Sequence, residues 1–392
     1  MSVFDRQATI LVTCAKGVPP FLAGELAALG FPVQAELTLG VTTRGSLADC
    51  MGLNLRLRTA HRVLFLLRET KAADDAGLYR EARSVAWEDF VPAETTVRVD
   101  ASLRTTAATD SRFAALRVKD ALVDRLRERL GRRPDSGPSR AGVCVFAHWR
   151  DDALQLYLDT SGESLVRRGY RVMPHKAPLS ETLAAAILLA GDWPGRAAEG
   201  QNLVLPMCGS GALAIEGALM AANIAPGLTR QHFAFQALSG FDPAALKALT
   251  AHVRAERRAF IGRIAASDID PAAVAAAREN ARRAGVEDLI EFLVRDFRDT
   301  EVPPGSGLVA VNPEYGLRLG DRQALAGTYA ALGDFLKRRC QGCVALVLAG
   351  DRELGKRIGL RPRRKIPLWN ADIECRLLEF ELYAGSRKAR PG

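Results

Sequence analysis

Apolar and polar positions along the chain fall into two regimes that meet near residue 177. Before it, strand-like runs and helical stripes are mixed without fixed order. TILVTCAKG reads as an apolar strand, Pro19 and Pro20 stand where a helix begins, and FLAGELAALG gives a helical stripe that Gly30 closes. FPVQAELTLGVTTRGS supplies further strand broken by glycine turns, and RVLFLLRE and VRVDASL predict two more strands. Residues 111–133 predict a long helix with Phe113, Leu116, Ala121, Val123, Leu126 and Leu130 on its apolar face. RRPDSGPSRAG then predicts a loop, VCVFAHWRDDALQLYLD a hairpin, and SGESLVRRGYR the connection out of this half.

After residue 177 strands and helices alternate, the mark of a parallel α/β sheet. Ser180 N-caps the helix ETLAAAILLAG, and NLVLP predicts a short buried strand that leads through MCGSG into the helix ALAIEGALMAAN. RIAASD predicts a second strand. Asp270 caps, Pro271 opens and Gly285 ends the helix PAAVAAARENARRAG. LIEFLVRD and GLVAVN predict the third and fourth strands, with CVALVLAG and RLLEFELYAG after them. The stretch APGLTRQHFAFQALSGFDPAALKALTAHVRAERRAF predicts a helical excursion inserted between the first two strands.

The 392 residues suit two or three domains, each able to bury its own core. A formal charge of +9 favours a polyanionic partner, and RNA, DNA or an anionic membrane surface all meet that description. The start MSVFDRQATILVTC lacks a basic segment leading into an apolar run, and no stretch approaches about eighteen unbroken apolar residues. The expectation is a cytoplasmic chain without membrane contact. Seven cysteines, odd in number and scattered, suit reduced thiols. Cys340-x-x-Cys343 has no second pair or nearby histidine, so it reads as two ordinary thiols, and no metal is expected.

Four strand ends carry candidate chemistry. Pro206-Met-Cys208-Gly209-Ser210-Gly211 is a glycine-rich strand–helix turn, where a ligand can approach the backbone and meet the N–H groups of a helix start. Asp268-Ile269-Asp270 ends the next strand, and an acid there can accept both ribose hydroxyls of an adenosine. For Asp270 a plain helix cap is the competing reading. Asp296, followed by Phe297, ends the third strand and could accept an adenine amine, or sit in a surface turn. Asn312-Pro313-Glu314-Tyr315-Gly316 ends the fourth. A base's exocyclic amine is a poor nucleophile because its lone pair is delocalised into the ring. The Asn312 side-chain oxygen and the Pro313 carbonyl can each accept a hydrogen bond from that amine, turning the lone pair toward a methyl carbon and stabilising the developing charge. Tyr315 can stack on the base once it leaves its own stack. Asn-Pro is also ordinary turn chemistry. Four such stations on successive strand ends favour a methyltransferase.

These motifs resemble the RNA guanine-N2 methyltransferases that carry a THUMP domain, most closely the bacterial 23S rRNA enzymes of the RlmL type. The similarity runs nearly end to end, through SRFAALRVKDALVD, SGESLVRRGYR, APLSETLAAAILLAGDWPG, PMCGSGALAIEGALMAANIAPGL, SDIDPAAVAAARENARRAGV, NPEYGLRLG and IECRLLEFEL. The resemblance implies an α/β fold in which a class I, Rossmann-like methyltransferase domain (166–392) follows an α+β half. That half would comprise a ferredoxin-like domain (1–60) and a THUMP RNA-binding domain (61–165). It implies S-adenosylmethionine as cofactor, with Cys208, Gly209 and Gly211 along its methionine part, Asp268 on the ribose, Asp296 near the adenine, and Glu181, Pro206, Ser210, Ile269 and Phe297 as further contacts. Asn312, Pro313 and Tyr315 would hold the target guanine.

Arg117 and Lys119, on the basic helix 111–133, and Arg363, Arg364 and Lys365 are the candidate RNA contacts. The resembled pattern has an acid where Leu205 stands and a second proline where Glu314 stands. The expected reaction is methyl transfer to guanine N2 in 23S rRNA. A tRNA target and an RNA-binding ribosome assembly factor with a degenerate site are the alternatives. A dinucleotide oxidoreductase is disfavoured because NPEY has no role in hydride transfer.

Overall fold

The computed structural model describes residues 2–105, 107, 110–137, 139–173, 179–305, 307–315 and 319–383. Gly316, which closes the Asn-Pro motif, lies outside them. The chain divides into two compact units. The first holds Met1–Cys14, Leu22–Leu165 and Pro226–Val253; the second holds Ala15–Phe21, Val166–Ala225 and Arg254–Gly392. Most of the predicted excursion between the first two strands, Pro226–Val253, therefore groups with the amino-terminal unit.

In the first unit eight strands form one sheet: β1 (Gln7–Thr13), β2 (Ala35–Leu37), β3 (Gly40–Ser46), β4 (Arg62–Lys71), β5 (Thr96–Arg104), β6 (Asp135–Ser136), β7 (Val143–Arg150) and β8 (Ala153–Asp159). Their order is β2-β3-β1-β4-β8-β7-β5-β6. Helices α1 (Pro19–Ala28), α2 (Leu47–Arg56), α3 (Asp75–Ser84) and α4 (Ser111–Leu130) lie between strands in sequence. Helices α2 and α3 fall in stretches without a clean sequence pattern.

Helix α4 stops at Gly131, whose φ of 68° is left-handed. Its apolar face differs from the sequence reading: Ala114, Val118, Ala121, Leu122, Val123 and Leu126 are buried, while Phe113, Leu116 and Leu130 are exposed. The small Ala114 and the β-branched Val118 lie inward, and the larger side chains one or two positions away lie outward.

The second unit contains α5 (Glu181–Ala190), α6 (Trp193–Ala198), β9 (Asn202–Leu205) and α7 (Ala212–Ala221). After α8 (Pro243–Ala255), most of which groups with the first unit, come β10 (Ile264–Asp268), α9 (Pro271–Ala284), β11 (Ile290–Val294), β12 (Gly307–Val311), α10 (Leu319–Arg339), β13 (Val344–Ala349), α11 (Arg352–Arg357), β14 (Arg364–Asn370) and β15 (Ile373–Glu381). The strand order is β11-β10-β9-β12-β13-β15-β14, parallel from β11 to β13, with β15 antiparallel to both its neighbours. The apolar runs expected for a doubly covered parallel sheet are present: Leu203, Val204, Leu205 and every residue of β12 are buried. Among the described residues no helix is long and apolar enough to cross a membrane.

Candidate active site

Strand order reverses at β9, because β10 and β11 lie to one side of it and β12 and β13 to the other. In open parallel sheets the crevice beyond the strand carboxyl ends at such a reversal is where ligands bind. The register places the candidate residues along that edge. Ala266 pairs with Leu205, and Val309 with Val204. Counting on along each strand brings Asp268 and Asn312 level with Met207, on opposite sides of β9. Two strand spacings separate them, about 10 Å.

The glycine turn is built for close approach. Cys208 N–H donates to the Ser267 carbonyl at 2.9 Å, continuing the pairing of the first two strands past β9. Gly209 and Gly211 have φ of 53° and 89°. A Cβ on Gly211 would lie 2.9 Å from the Ala277 Cβ, so glycine is needed there for α7 to pack on α9; a Cβ on Gly209 would meet nothing within 4 Å. Asp268 faces this turn: one carboxylate oxygen accepts the Gly209 N–H at 2.9 Å and the other the Asp270 N–H at 3.1 Å. Two main-chain donors thus hold the carboxylate, whose remaining lone pairs suit ribose hydroxyls. Asp270 caps α9, accepting the Ala272 N–H at 2.8 Å. Ile269, beside Asp268, is 68 % exposed, an uncovered apolar side chain of a kind that suits an adenine face.

Asp296 is held by Arg298, whose Nη2 donates at 2.6 Å and whose Nε and main-chain N–H donate at 3.0 and 2.9 Å. That guanidinium keeps the Asp296 carboxyl below its ordinary range. Any further donor to Asp296 would share it with, or displace, Arg298. Phe297 is buried against Phe335, edge to face at 6.1 Å, so any part it takes in holding a cofactor belongs to its main chain.

At the fourth strand end, the Tyr315 hydroxyl donates to Asn312 Oδ1 at 2.5 Å and its ring lies against Gly350. Burial raises the Tyr315 hydroxyl above its ordinary pKa, so it remains a donor. In this arrangement Tyr315 positions Asn312, and stacking on a base falls to whichever ring face Gly350 leaves open. An amide oxygen has two lone pairs, so Asn312 retains one for an incoming amine. Leu205 is fully buried, with no carboxylate at that strand end.

A polar layer behind the glycine turn escaped the sequence reading. Asn280 is wholly buried; its Oδ1 accepts Val172 N–H at 3.0 Å and its Nδ2 donates to the Ser210 carbonyl at 3.1 Å. Its signal was present: it sits with Ala273, Ala277 and Ala284 on the inward face of α9, where an amide without a job is costly. Arg171 donates to Glu181 at 3.0 Å, to the Leu179 carbonyl at 2.7 Å and, more distantly, to Ser210 Oγ at 3.5 Å. Glu181 thus reaches the turn through Arg171. Deeper still, Glu216 accepts from Arg168 and Tyr170.

Most of the candidate RNA contacts pair locally. Arg117 pairs with Asp75 at 2.9 Å and stands over the Tyr79 ring; Lys119 pairs with Asp120 at 3.0 Å. Arg364 donates to Glu379 at 2.6 Å and to the Ala190 carbonyl at 2.7 Å, while Arg363 and Lys365 are exposed.

A family model described as the RMKL-like methyltransferase domain matches residues 168–379. The chain belongs to this family. Models for the RlmL ferredoxin-like domain and the THUMP domain match residues 9–64 and 72–159 ahead of the RMKL-like methyltransferase domain. The chain is 42 % identical over 385 residues to the ribosomal RNA large subunit methyltransferase K/L of Syntrophotalea carbinolica, covering 96 % of this chain and 54 % of that protein. It thus spans about half the length of the curated relatives it matches. Among solved structures, SMU.472 complexed with SAH is 26 % identical with a TM-score of 0.86, over 97 % of this chain and all of that one. A Listeria monocytogenes protein described as a predicted N6-adenine-specific DNA methylase is 27 % identical with a TM-score of 0.85, over 96 % of this chain and 97 % of its own.

Proposed function

We propose that the chain transfers a methyl group from S-adenosylmethionine to the exocyclic N2 amine of a guanosine in 23S rRNA. The observation that carries this is the level placement of Asp268 and Asn312 on either side of β9 at the strand-order reversal. Asp268 and the glycine turn, at the ends of β10 and β9, would hold the cofactor, and Asn312, at the end of β12, would hold the amine that receives its methyl group. S-adenosylmethionine is the cofactor: the glycine turn and Asp268 offer the donors and acceptors that its methionine and ribose require, and the homologous SMU.472 holds the product of its demethylation. The chain's K/L relatives support ribosomal RNA as the substrate.

When bound, S-adenosylmethionine would supply the electrophilic methyl carbon and its sulfur would leave with the carbon–sulfur electron pair. Asn312 and the Pro313 carbonyl accept hydrogen bonds from the amine, orient its lone pair and stabilise its positive charge, and one proton of the methylated amine then leaves to water. Residues 1–60, 61–165 and 166–392 serve in this reading as ferredoxin-like, THUMP and methyltransferase domains, with Arg117, Lys119, Arg363, Arg364 and Lys365 meeting RNA phosphates. An assembly factor with an idle site is the second reading, favoured by the buried Leu205. Mass spectrometry of nucleosides from rRNA and tRNA of a deletion strain tests the proposal. Loss of N2-methylguanosine from 23S rRNA is expected; an unchanged nucleoside profile would sink the enzyme reading, and a loss confined to tRNA would move the substrate.

A further inference from the structure

We propose that Glu314 reads the ring-nitrogen proton beside the target amine and so selects guanine over adenine. The inference rests on methyl transfer to an exocyclic amine at Asn312. An amine clamp alone does not choose between the two purines, because guanine N2 and adenine N6 present the same pair of N–H donors. The neighbouring ring atom differs. Guanine carries N1–H, a donor, directly beside its amine, whereas adenine carries a bare N1 lone pair there.

The structure places a carboxylate next to the clamp on a fixed piece of main chain. The Glu314 carbonyl accepts the Tyr329 hydroxyl at 3.1 Å, and Tyr329 is wholly buried. Asn312, two residues earlier, is tied to Tyr315, one residue later. Between these anchors the Glu314 side chain is exposed, and no described residue is paired with it. An exposed carboxylate two residues from Asn312 repels the phosphates of a polyanion drawn to a chain whose net charge is +9. That repulsion is offset where the carboxylate accepts a proton donor of the base itself. Guanine N1–H offers that donor, while the adenine N1 lone pair faces the carboxylate with repulsion. A site built around one such hydrogen bond rejects the analogue lacking it far more strongly than a shape-matched pocket does.

The test uses the full chain and a fragment of large-subunit rRNA that it methylates, made with either guanosine or 2-aminopurine riboside at the target. 2-Aminopurine keeps the amine but has a bare N1. Loss of its O6 weighs on wild type and variant alike and cancels in the comparison. Wild type is expected to favour guanine in kcat/KM, and Glu314→Ala to shrink that preference by about ten- to hundredfold, the range for a hydrogen bond to a charged acceptor. Glu314→Gln, which keeps one acceptor oxygen, should fall between. An equal preference in wild type and both variants, each binding cofactor normally by calorimetry, overturns the role of Glu314 and leaves methyl transfer standing. If no rRNA fragment accepts methyl groups from wild type, methyl transfer to rRNA is itself overturned and this inference falls with it.

Discussion

Asp268 accepts two main-chain N–H groups, so its removal strips the proposed ribose acceptor and orphans the Gly209 and Asp270 donors together. Asp268→Ala should weaken S-adenosylmethionine by tenfold or more, at about 1.5–3 kcal/mol per charge-assisted bond, and should also lower the melting temperature of the free protein. Calorimetry with unchanged affinity in a folded variant would remove Asp268 from the cofactor site. Asn312→Ala should leave cofactor affinity nearly intact and slow turnover by on the order of a hundredfold, the scale of one lost transition-state hydrogen bond. Tyr315→Phe should slow it less, since Asn312 then loses only the hydroxyl that orients it. Single-turnover rates distinguish the two roles. The cysteines are a separate case. All seven are free and buried, and burial pushes Cys14, Cys144 and Cys340 up to about 12. At pH 8 roughly one in ten thousand of these three would be thiolate, the reactive form. A thiol reagent should therefore label the native protein slowly and all seven sites after unfolding; rapid labelling of any of these three in the native protein would contradict the packing.

The turn between β9 and α7 holds two glycines for different reasons, and substitution separates them. Gly209→Ala meets open space at a positive φ and should cost about 1–2 kcal/mol, the ordinary left-handed penalty. Gly211→Ala adds a clash with Ala277 on α9 and should cost about 2–4 kcal/mol in chemical unfolding. Equal costs would mean that α7 and α9 are not packed as described. Helix α4 offers a parallel contrast. Ala114→Asp buries a charge and should destabilise strongly, whereas Leu116→Asp lies on the exposed face and should change the unfolding midpoint little.

At the scale of the whole chain, segments 15–21 and 226–253 each group with the unit that does not flank them in sequence. A fragment cut at residue 165 keeps only part of the first unit, and one starting near 177 lacks part of the second. RNA binding is therefore best measured on the full chain. Charge reversal at Arg117 and Lys119 should weaken binding to structured RNA and flatten its dependence on salt concentration, because each lost phosphate contact reduces counterion release. Arg117 is already paired with Asp75, so reversal there also disturbs α3 against α4; circular dichroism separates this effect from lost contacts. Unchanged affinity and salt slope would make this helix an ordinary solvated face.

The strands and helices that surround the candidate site were legible from the sequence because their signals are local. Buried runs such as NLVLP, Asp270 with Pro271 at a helix start, and Gly285 at its end all act through a residue's own backbone and nearest neighbours. The strand ends on which the four candidate stations sit were legible for the same reason. Long-range packing decided the rest. It set which face of α4 turned inward, drew the excursion 226–253 into the first unit, and buried Asn280 against the glycine turn. It also assigned Tyr315 to Asn312 and Arg298 to Asp296, contacts that depend on which side chains the folded chain brings within about 3 Å. Periodicity reports that a side chain is apolar or charged. Only the closed structure supplies the partner that it meets.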